Sequence, residues 1–307
     1  MDRLEAMALL VETVDAGSMS AAGRKRGMPL PTISRKLADL EAHLGVRLLN
    51  RSTRRLELTA AGAAYLVSAR AILEQVGEAE REATGEYRTP RGALVVTAPT
   101  SFGRRHVLPL VGEFLARHDA ISARLILTDQ QLDLVGERID LAVRIGVLAD
   151  SQLIARRVGP MRWVVVGSPG LIMTTGVPRA PADLAAMPCI GIDTNEPGTL
   201  WHFNGAAVRI GPRLLVNSGE GAVDAAADGV GFARVMLYHA APALAAGRLQ
   251  VLLPDYEPDP LPLSIVYTGA GPMPLKTRSF LDFVMPRLQQ DLARINATAL
   301  TATLPLD

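Results

Sequence analysis

The sequence predicts an α/β protein with a winged helix-turn-helix at its N-terminus. Two short helical patterns flank a tight break between residues 16 and 59, and an arginine-rich hairpin pattern follows them. A long amphipathic stretch then ends at the segment 88–92, which contains proline and glycine. Beyond it, short apolar runs alternate with helical ones, which indicates mainly parallel sheets covered by helices.

The composition bounds the class of protein. The 307 residues leave room for about two or three domains, each with its own core. The single cysteine, Cys189, excludes an intramolecular disulfide and indicates a reducing compartment; within its apolar strand we expect an inert core residue. The N-terminus carries charge without a signal pattern, and the longest uncharged run near the middle of the chain, 163–178, is broken by glycine and proline. We therefore expect a soluble, cytoplasmic protein without a membrane partner.

Positive charge is concentrated in one stretch near the N-terminus. Residues 24–55 contain nine Lys and Arg against two acids, a net charge of +7 in a chain whose total is +1. The rest of the chain therefore carries −6. Because this island is built on a helix-turn-helix pattern, it predicts a reader of double-stranded DNA.

The first three helices follow from apolar spacing and from capping residues. Residues 2–16 repeat apolar positions at helical spacing, and a second helix is predicted at 19–26 with Ser18 or Ser20 as its N-cap. Pro31 suits the first turn of a third helix, which ends at Leu44. In the docking geometry of this motif, the N-terminal part of the third helix enters the major groove. Its core-facing stripe consists of Ile33, Leu37, Leu40 and Leu44.

Side chains outside that stripe are the predicted DNA contacts. Thr32, Ser34 and Arg35 lie at the end of the helix that reaches base edges, and Arg35 can bond a base through two N–H groups. Strands predicted at 46–49 and 56–58 enclose a wing whose arginines suit phosphates. The basic run 24–26 fits phosphate contact and ordinary surface charge equally well. The predicted DNA contacts are Ser20, Thr32, Ser34, Arg35, Lys36, Arg51, Arg54 and Arg55.

A long helix is predicted at 60–86, followed by a hinge. Its apolar positions recur at three- and four-residue steps, which forms a seam suited to another helix. The seam either packs against a second copy of the chain, since a single winged motif reads few bases, or it covers only its own domain. The seam residues are Leu66, Ala69, Leu73, Val76 and Ala83.

The remaining two thirds of the chain alternate strand and helix patterns, with no internal repeat. Strands are predicted at 93–98, 123–128, 141–145, 163–166, 189–192, 214–216 and 263–267. Helices are predicted at 102–118, 129–137, 181–186, 220–227, 238–246 and 275–290.

Several spaced motifs follow one another in order along nearly the whole chain. In the first part they are Gly17-Ser18-x-Ser20-Ala21-Ala22, Pro31-Thr32-Ile33-Ser34-Arg35 and Arg51-Ser52-Thr53-Arg54. In the second part they include Ala98-Pro99-x-Ser101-Phe102-Gly103 and Asp140-Leu141-Ala142-Val143-Arg144-Ile145-Gly146. In these motifs the chain resembles the LysR-type transcriptional regulators. It departs from many members at Pro29-Leu30, where they carry Ser-Gln, and loses a possible contact to an adenine edge.

The resemblance implies a domain organisation and partners. It implies a winged helix-turn-helix at 1–59, a dimerising linker helix and hinge at 60–90, and an effector-binding domain at 91–307. That domain is implied to be two-lobed, like type 2 periplasmic binding proteins, with the first lobe at 91–160 plus 266–307 and the second at 161–265. The implied partners are double-stranded promoter DNA, a small-molecule effector such as a carboxylate, RNA polymerase, and further copies of the chain in a homodimer or homotetramer.

Polar residues at strand ends are the candidate effector contacts. Thr100 and Ser101 open a helix after a strand, where backbone N–H groups and hydroxyls make an anion pocket, although N-capping explains them too. Arg234 follows an apolar run and suits either a ligand carboxylate or pairing with Asp228. The candidate effector contacts are Thr100, Ser101, Asp129, Arg144, Ser218, Arg234 and Tyr267.

The sequence gives no sign of an enzyme. It contains no Gly-x-Ser-x-Gly elbow, no phosphate-binding Gly-Lys-Ser/Thr loop and no His-Glu-x-x-His helix. Its five histidines and one cysteine have no metal-ligand spacing, so we expect no metal, no cofactor and no catalytic residue. Two rival interpretations remain: an architectural DNA-binding protein that takes no ligand, and a small-molecule-binding protein or enzyme with an accessory DNA-binding arm.

Overall fold

The computed structural model describes residues 2–52, 55–83, 89–148, 153–193, 199–269 and 273–301. The chain separates into two units, Met1–Thr89 and Pro90–Asp307. The first unit consists of α1 (Arg3–Asp15), α2 (Met19–Arg26), α3 (Leu30–Leu44), β1 (Leu49–Ser52), β2 (Arg55–Leu58) and α4 (Ala60–Ala83).

The core of the first unit is formed by the apolar faces of its helices. Leu9 and Leu10 of α1 pack with Ile33 and Leu37 of α3 and with Leu66 of α4, and all five side chains are buried. The N-cap of α2 is Ser18, whose Oγ accepts a hydrogen bond from the backbone N–H of Ala21 at 3.1 Å. Of the two serines predicted for this cap, the structure therefore selects the first.

Helix α3 begins one residue earlier than Pro31. Pro29 occupies its N-cap without a side-chain hydrogen bond, and Gly45 ends the helix with φ 68°. The preceding turn is tight, because a Cβ atom at Gly23 of α2 would lie 2.7 Å from the carbonyl oxygen of Met28. The prolines and glycines around α3 thus fix where the helix begins and where it ends.

The β1–β2 hairpin is tied to α3 through Glu41. One carboxylate oxygen of Glu41 accepts hydrogen bonds from the backbone N–H groups of Leu48 and Leu49, at 2.8 and 3.0 Å. The first wing strand was predicted at 46–49, but β1 begins at Leu49. The prediction was wrong by about three residues because the backbone before Leu49 bonds to a side chain and to the end of α3 rather than to another strand.

The predicted α4 seam is partly buried. Leu66 packs in the core of its own unit, and Ala69 is also buried. Outside the predicted seam, Val67 and Ile72 are 40% and 38% exposed, on different sides of the helix because they are five residues apart. The last predicted residues of the helix, 84–86, lie outside the described residues.

The second unit contains two five-stranded sheets. The first has the order β4-β3-β5-β14-β6, with strands β3 (Gly92–Ala98), β4 (Ile121–Leu127), β5 (Leu141–Ile145), β6 (Leu153–Met161) and β14 (Leu261–Thr268). The second has the order β11-β8-β12-β7-β13, with strands β7 (Trp163–Gly167), β8 (Cys189–Ile192), β11 (Pro212–Val216), β12 (Phe232–Met236) and β13 (Gln250–Leu252). A separate hairpin joins β9 (Leu200–Phe203) to β10 (Ala206–Arg209).

Both large sheets are mixed. In the first, β3 pairs in parallel with β4 and β5, whereas β14 runs antiparallel to β5 and β6. In the second, β8 pairs in parallel with β11 and β12, whereas β7 runs antiparallel to β12 and β13. The expectation of mainly parallel sheets was therefore wrong, because β6, β12 and β13 were not recognised as strands. The predicted lobe boundary between Ile265 and Val266 falls inside β14.

Helices cover these sheets. They are α5 (Thr100–Phe102), a π-helical turn (Gly103–Val107), α6 (Leu108–Leu115), α7 (Pro169–Thr175), a 3-10 turn (Pro181–Ala186), α8 (Gly219–Ala227), α9 (Leu237–Ala245), a 3-10 turn (Pro254–Tyr256) and α10 (Leu275–Thr301). We call the first sheet with α5, the π-helical turn, α6 and α10 the first lobe, and the second sheet with α7, α8 and α9 the second lobe. One apolar core runs through both lobes and includes Phe102, Phe114, Val235 and Tyr238.

A helix predicted at 129–137 does not form. The chain there consists of turns, and polar side chains take the place of helical hydrogen bonds. Asp133 Oδ1 accepts from the N–H of Val135 at 3.0 Å, and Thr128 Oγ1 accepts from the N–H of Gln130 at 3.2 Å. These local bonds compete with the helix, and Arg138 ends the segment in the left-handed region with φ 53°.

Candidate DNA interface and ligand cleft

The N-terminal half of α3 presents the residues predicted to read bases. Arg35 is exposed and forms no ion pair within the described part of the chain, while Thr32 and Ser34 are half-buried beside it. Leu30, which was considered from the sequence only as a lost polar contact, is 46% exposed at the first position of the helix. An exposed leucine at the start of this helix is a sequence feature from which an apolar base contact can be predicted, because thymine presents a methyl group in the major groove.

Lys36, on the same helix, is held by a neighbouring acid. Its ammonium group forms an ion pair with the carboxylate of Glu5 on α1, and the two side chains are 28% and 32% exposed. Among the residues of the basic run, Arg26 pairs with Glu12 at 3.3 Å. Intramolecular pairing therefore reduces the positive charge that these two cations offer to a phosphate.

The remaining predicted DNA contacts lie on α2 and the wing. Ser20 is exposed on α2. Arg51 and Arg55 lie on the two paired strands of the hairpin, in which Arg55 stands opposite Ser52. Arg54 lies outside the described residues.

In the second unit, three candidate effector residues lie at one edge of the first sheet. Thr100 follows β3, Asp129 follows β4, and Arg144 lies near the end of β5, so the parallel arrangement brings them to the same edge. The backbone N–H of Thr100 donates to Asp129 Oδ1 at 3.1 Å. Nη1 of Arg144 donates to the carbonyl oxygen of Gln130 at 3.1 Å. Three of the seven candidate effector contacts are thus neighbours, and Ser101 follows Thr100 directly.

Arg144 is a cation without a carboxylate partner in the described ranges. It is half-buried, and burial lowers the pKa of its guanidinium below the ordinary value. Even so, an arginine stays charged in a protein, so this edge of the sheet carries a partly desolvated positive charge. Such a group attracts an anion.

The start of α8, in the second lobe, contacts the first lobe. Ser218 Oγ accepts from the N–H of Gly221 at 3.0 Å and caps α8. In the same turn, Glu220 reaches the first lobe: its two oxygens lie 2.6 and 2.8 Å from Nη2 of Arg104, and one lies 3.0 Å from Nε of Arg105. Although burial raises it, hydrogen bonds from the two arginines hold the pKa of Glu220 below its ordinary value. Sequence reasoning missed all three residues of this cluster.

His239 lies behind the same turn. A Cβ atom at Gly219 would stand 2.5 Å from Nε2 of His239, so the start of α8 packs directly on the imidazole. The Nδ1 atom of His239 is buried without a partner in the described part of the chain, and burial lowers the pKa of the ring to about 4. The ring is therefore neutral at pH 7. Burial likewise raises the pKa of Tyr238, whose side chain lies within the apolar core.

Two candidate effector contacts lie elsewhere. The guanidinium of Arg234 stacks on Trp163, 4.5 Å from its ring centroid, and lies 5.9 Å from that of Phe203. Its neighbours on β12, Ala233 and Val235, belong to the core that includes α8, so alternation along the strand turns Arg234 to the other face of the second sheet. No ion pair joins it to Asp228 in the ranges that the structure describes. Burial lowers the pKa of Arg234 to about 10.

Tyr267 is buried near the end of β14. Because β14 runs antiparallel to β5, with Val266 opposite Ala142 and Leu263 opposite Ile145, Tyr267 lies at the sheet edge away from Arg144. The structure therefore does not bring Tyr267 together with Thr100, Asp129 and Arg144 at the other edge.

Other kinds of site find no support among the described residues. No three His, Cys, Asp or Glu side chains there are grouped to hold a metal ion. Burial raises the pKa of the Cys189 thiol to about 12, as suits an unreactive core residue. Within the same ranges, no helix combines the length and apolar character needed to cross a membrane.

Both units match known families. Residues 4–63 match the bacterial regulatory helix-turn-helix protein, lysR family, and residues 88–289 match the LysR substrate binding domain. An HTH-type transcriptional regulator of Xanthomonas campestris is 34% identical over 292 residues, 92% of this chain and 85% of that protein. The HTH-type transcriptional activator AaeR of Escherichia coli is 31% identical over 282 residues, 91% of each chain.

Solved structures show the same fold. CrgA, a LysR-type transcriptional regulator from Neisseria meningitidis, aligns with a TM-score of 0.60 at 31% identity, over 92% of this chain and 98% of that chain. The Vibrio cholerae virulence activator AphB aligns with a TM-score of 0.57 at 27% identity, over 92% and 98%. These relatives regulate transcription and are not enzymes.

Proposed function

The chain belongs to the LysR family of bacterial transcriptional regulators, and on that premise we propose that a small-molecule effector bound between its lobes changes how it holds promoter DNA. The DNA is held by α3 and the β1–β2 hairpin. The effector occupies the cleft between the sheet edge at Thr100 and the start of α8. The meeting of Thr100, Asp129 and Arg144 at one edge is the observation that carries the ligand site.

Base reading rests on the exposed N-terminal end of α3. Arg35 offers two N–H groups to a guanine edge, and Thr32 and Ser34 offer hydroxyls. Leu30 adds an apolar contact to a thymine methyl, in place of the polar pair that many relatives carry before this helix. The wing arginines and Lys36 supply phosphate contacts, which add affinity and salt dependence without sequence information.

The effector is an anion, and we expect a carboxylate. Arg144 provides a partly desolvated positive charge, and the hydroxyls of Ser101 and Ser218 provide donors from opposite lobes. Hydrogen-bond donors and a guanidinium suit a carboxylate group. An effector that contacts both lobes changes the relation between them, and in that way it changes the regulator's oligomers on DNA.

Oligomers read the promoter as a repeated site. The exposed apolar residue Ile72 lies four residues before the seam residue Val76 on α4, and this side of the helix suits a contact with the same helix of a second copy, which gives a homodimer that can assemble further into a homotetramer. Two α3 helices then read two half-sites with dyad symmetry. RNA polymerase is the further partner that regulation at a promoter requires.

Footprinting tests the DNA half of this proposal. The full chain should protect a site with dyad symmetry in its promoter DNA, and Arg35→Ala should relax specificity at one base pair of each half-site by about 1–3 kcal/mol. A protein that protects no such site is not the regulator proposed.

A ligand screen tests the effector half. Small carboxylates and aromatic acids are tested for a shift in the thermal unfolding of the full chain, and an acid that shifts it should also alter the footprint. Ser101→Ala should weaken that binding. An acid that binds without altering the footprint, or a chain that binds DNA and no acid, would favour the architectural interpretation.

A further inference from the structure

Three charged side chains join the two lobes. We call Arg104, Arg105 and Glu220 the Glu220 cluster. Glu220 accepts three hydrogen bonds from the two arginines, at 2.6, 2.8 and 3.0 Å, across 115 and 116 residues of chain. The side chains of Arg104, Arg105 and Glu220 are 57%, 34% and 25% exposed, so the cluster is open to solvent.

The cluster is close in the chain to both hydroxyls assigned to the effector. Arg104 is three residues after Ser101, in the π-helical turn that continues α5. Glu220 is two residues after Ser218 at the start of α8. Each hydroxyl therefore lies within about one helical turn of a member of the cluster, and a carboxylate that reaches both comes close to the cluster.

Two guanidinium groups around one carboxylate form an arrangement that also suits a ligand. Arginine N–H groups match the geometry of a carboxylate, and the cluster keeps a net charge of +1 after Glu220 is counted. Arg105 also borders an open groove of about 400 Å³ lined by His106 and Tyr238, so it is accessible from a side that Glu220 does not cover.

We propose that Arg104 and Arg105 form a receptor for a carboxylate of the effector, and that the Glu220 side chain occupies this receptor while the effector is absent. This assignment rests on the proposed function and names its ligand class as an organic acid. When the acid binds, Glu220 loses its partners, and the first turn of α8 is released from the first lobe. Glu220 is therefore an internal competitor that sets how much acid is needed.

Calorimetric titration of the full chain, without DNA, tests the assignment. The probe is benzoate, and benzamide serves as its uncharged counterpart. Glu220→Gln removes the competing charge and keeps the side-chain shape, so benzoate should bind about tenfold more tightly, since an intramolecular competitor acts at an effective concentration in the millimolar range. Arg104→Gln combined with Arg105→Gln should abolish benzoate binding.

Glu113→Gln is the matched control. Glu113 also pairs with two arginines, Arg117 at 3.9 Å and Arg287 at 3.7 Å, but all three belong to the first lobe. Its substitution should leave benzoate binding as in the unaltered chain. Equal affinity of Glu220→Gln and the unaltered chain, or an equal gain for benzamide, would overturn the assignment.

A second measurement needs no variant. The nuclear magnetic resonance signal of the Arg105 Nε–H should move as benzoate replaces Glu220, and an unmoved signal at saturating benzoate also overturns the assignment. The proposed function and the proposed arginine receptor can fail independently of each other. An acid that alters the footprint and still binds when both arginines are replaced would leave the regulator intact and remove this receptor, whereas a missing footprint would remove the regulator whatever benzoate does.

Discussion

We predict that Lys36 contributes to DNA binding and that its ion pair with Glu5 reduces this contribution. If Lys36 contacts a phosphate, Lys36→Gln removes one released counterion, and the slope of log affinity against log salt becomes less steep by about 0.9. Between 50 and 200 mM salt this slope change corresponds to a factor of about 3.5 in affinity. Lys36 must first leave Glu5, and a partly exposed pair of this kind is worth up to about 1 kcal/mol. Glu5→Gln should therefore raise affinity by up to about fivefold without changing the slope.

Fluorescence anisotropy of a labelled promoter duplex measures both effects. In the double variant the gain from Glu5→Gln should disappear, because no lysine is left to release. The matched control is Asp15→Asn, which removes an equal charge from the same unit but frees Arg70 of α4 instead. An unchanged slope in Lys36→Gln would refute the phosphate contact. A gain from Glu5→Gln that persists without Lys36 would show that Glu5 acts only through the overall charge.

Three further predictions concern stability and reactivity. Gly62→Ala would place a Cβ atom 1.9 Å from the carbonyl oxygen of Leu48, so urea titrations should show the first unit destabilised by about 1–3 kcal/mol. Gly112→Ala meets open space within α6 and should stabilise the second unit by about 0.5–1 kcal/mol. Burial lowers the pKa of His239 to about 4, so as the pH falls the imidazole gains a proton in the unfolded chain before it does in the folded one. Up to about 3 kcal/mol of folding stability should therefore be lost between pH 6.5 and 4, and His239→Gln should remove that loss. Cys189 should not react with a thiol reagent until the chain unfolds.

Local chemistry explains what could be predicted of the fold. The ends of α2 and α3 follow from glycines that adopt positive φ, Gly27 and Gly45, and both ends were predicted correctly. Strands β5 and β8 were also predicted with their observed bounds, since each is a short run between turns that is apolar throughout in β8 and apolar except for Arg144 in β5. These elements have their cause within a few residues of chain.

Features that depend on contacts between residues far apart in the chain were not predicted. Strand β12 carries Arg234 in its middle, and this charge is accommodated by Trp163 of the neighbouring strand, which no local pattern reveals. The predicted helix at 129–137 is different, because it failed for a local reason: Asp133 and Thr128 bond to backbone two residues away. The Glu220 cluster joins residues more than a hundred positions apart, so spacing within either segment carries no sign of it.

The shared core of the two lobes limits how an effector can act. Phe102 of the first lobe meets Tyr238 of the second edge to face, with ring centroids 5.3 Å apart, and both side chains are buried. Exposing such side chains costs about 1.5–3 kcal/mol each, so wide separation of the lobes would cost more than the 1–3 kcal/mol that typically couples two sites. An exposed cluster such as that of Glu220 costs far less to break. An acid bound at the cleft is therefore expected to act by releasing the start of α8 while the apolar core stays closed.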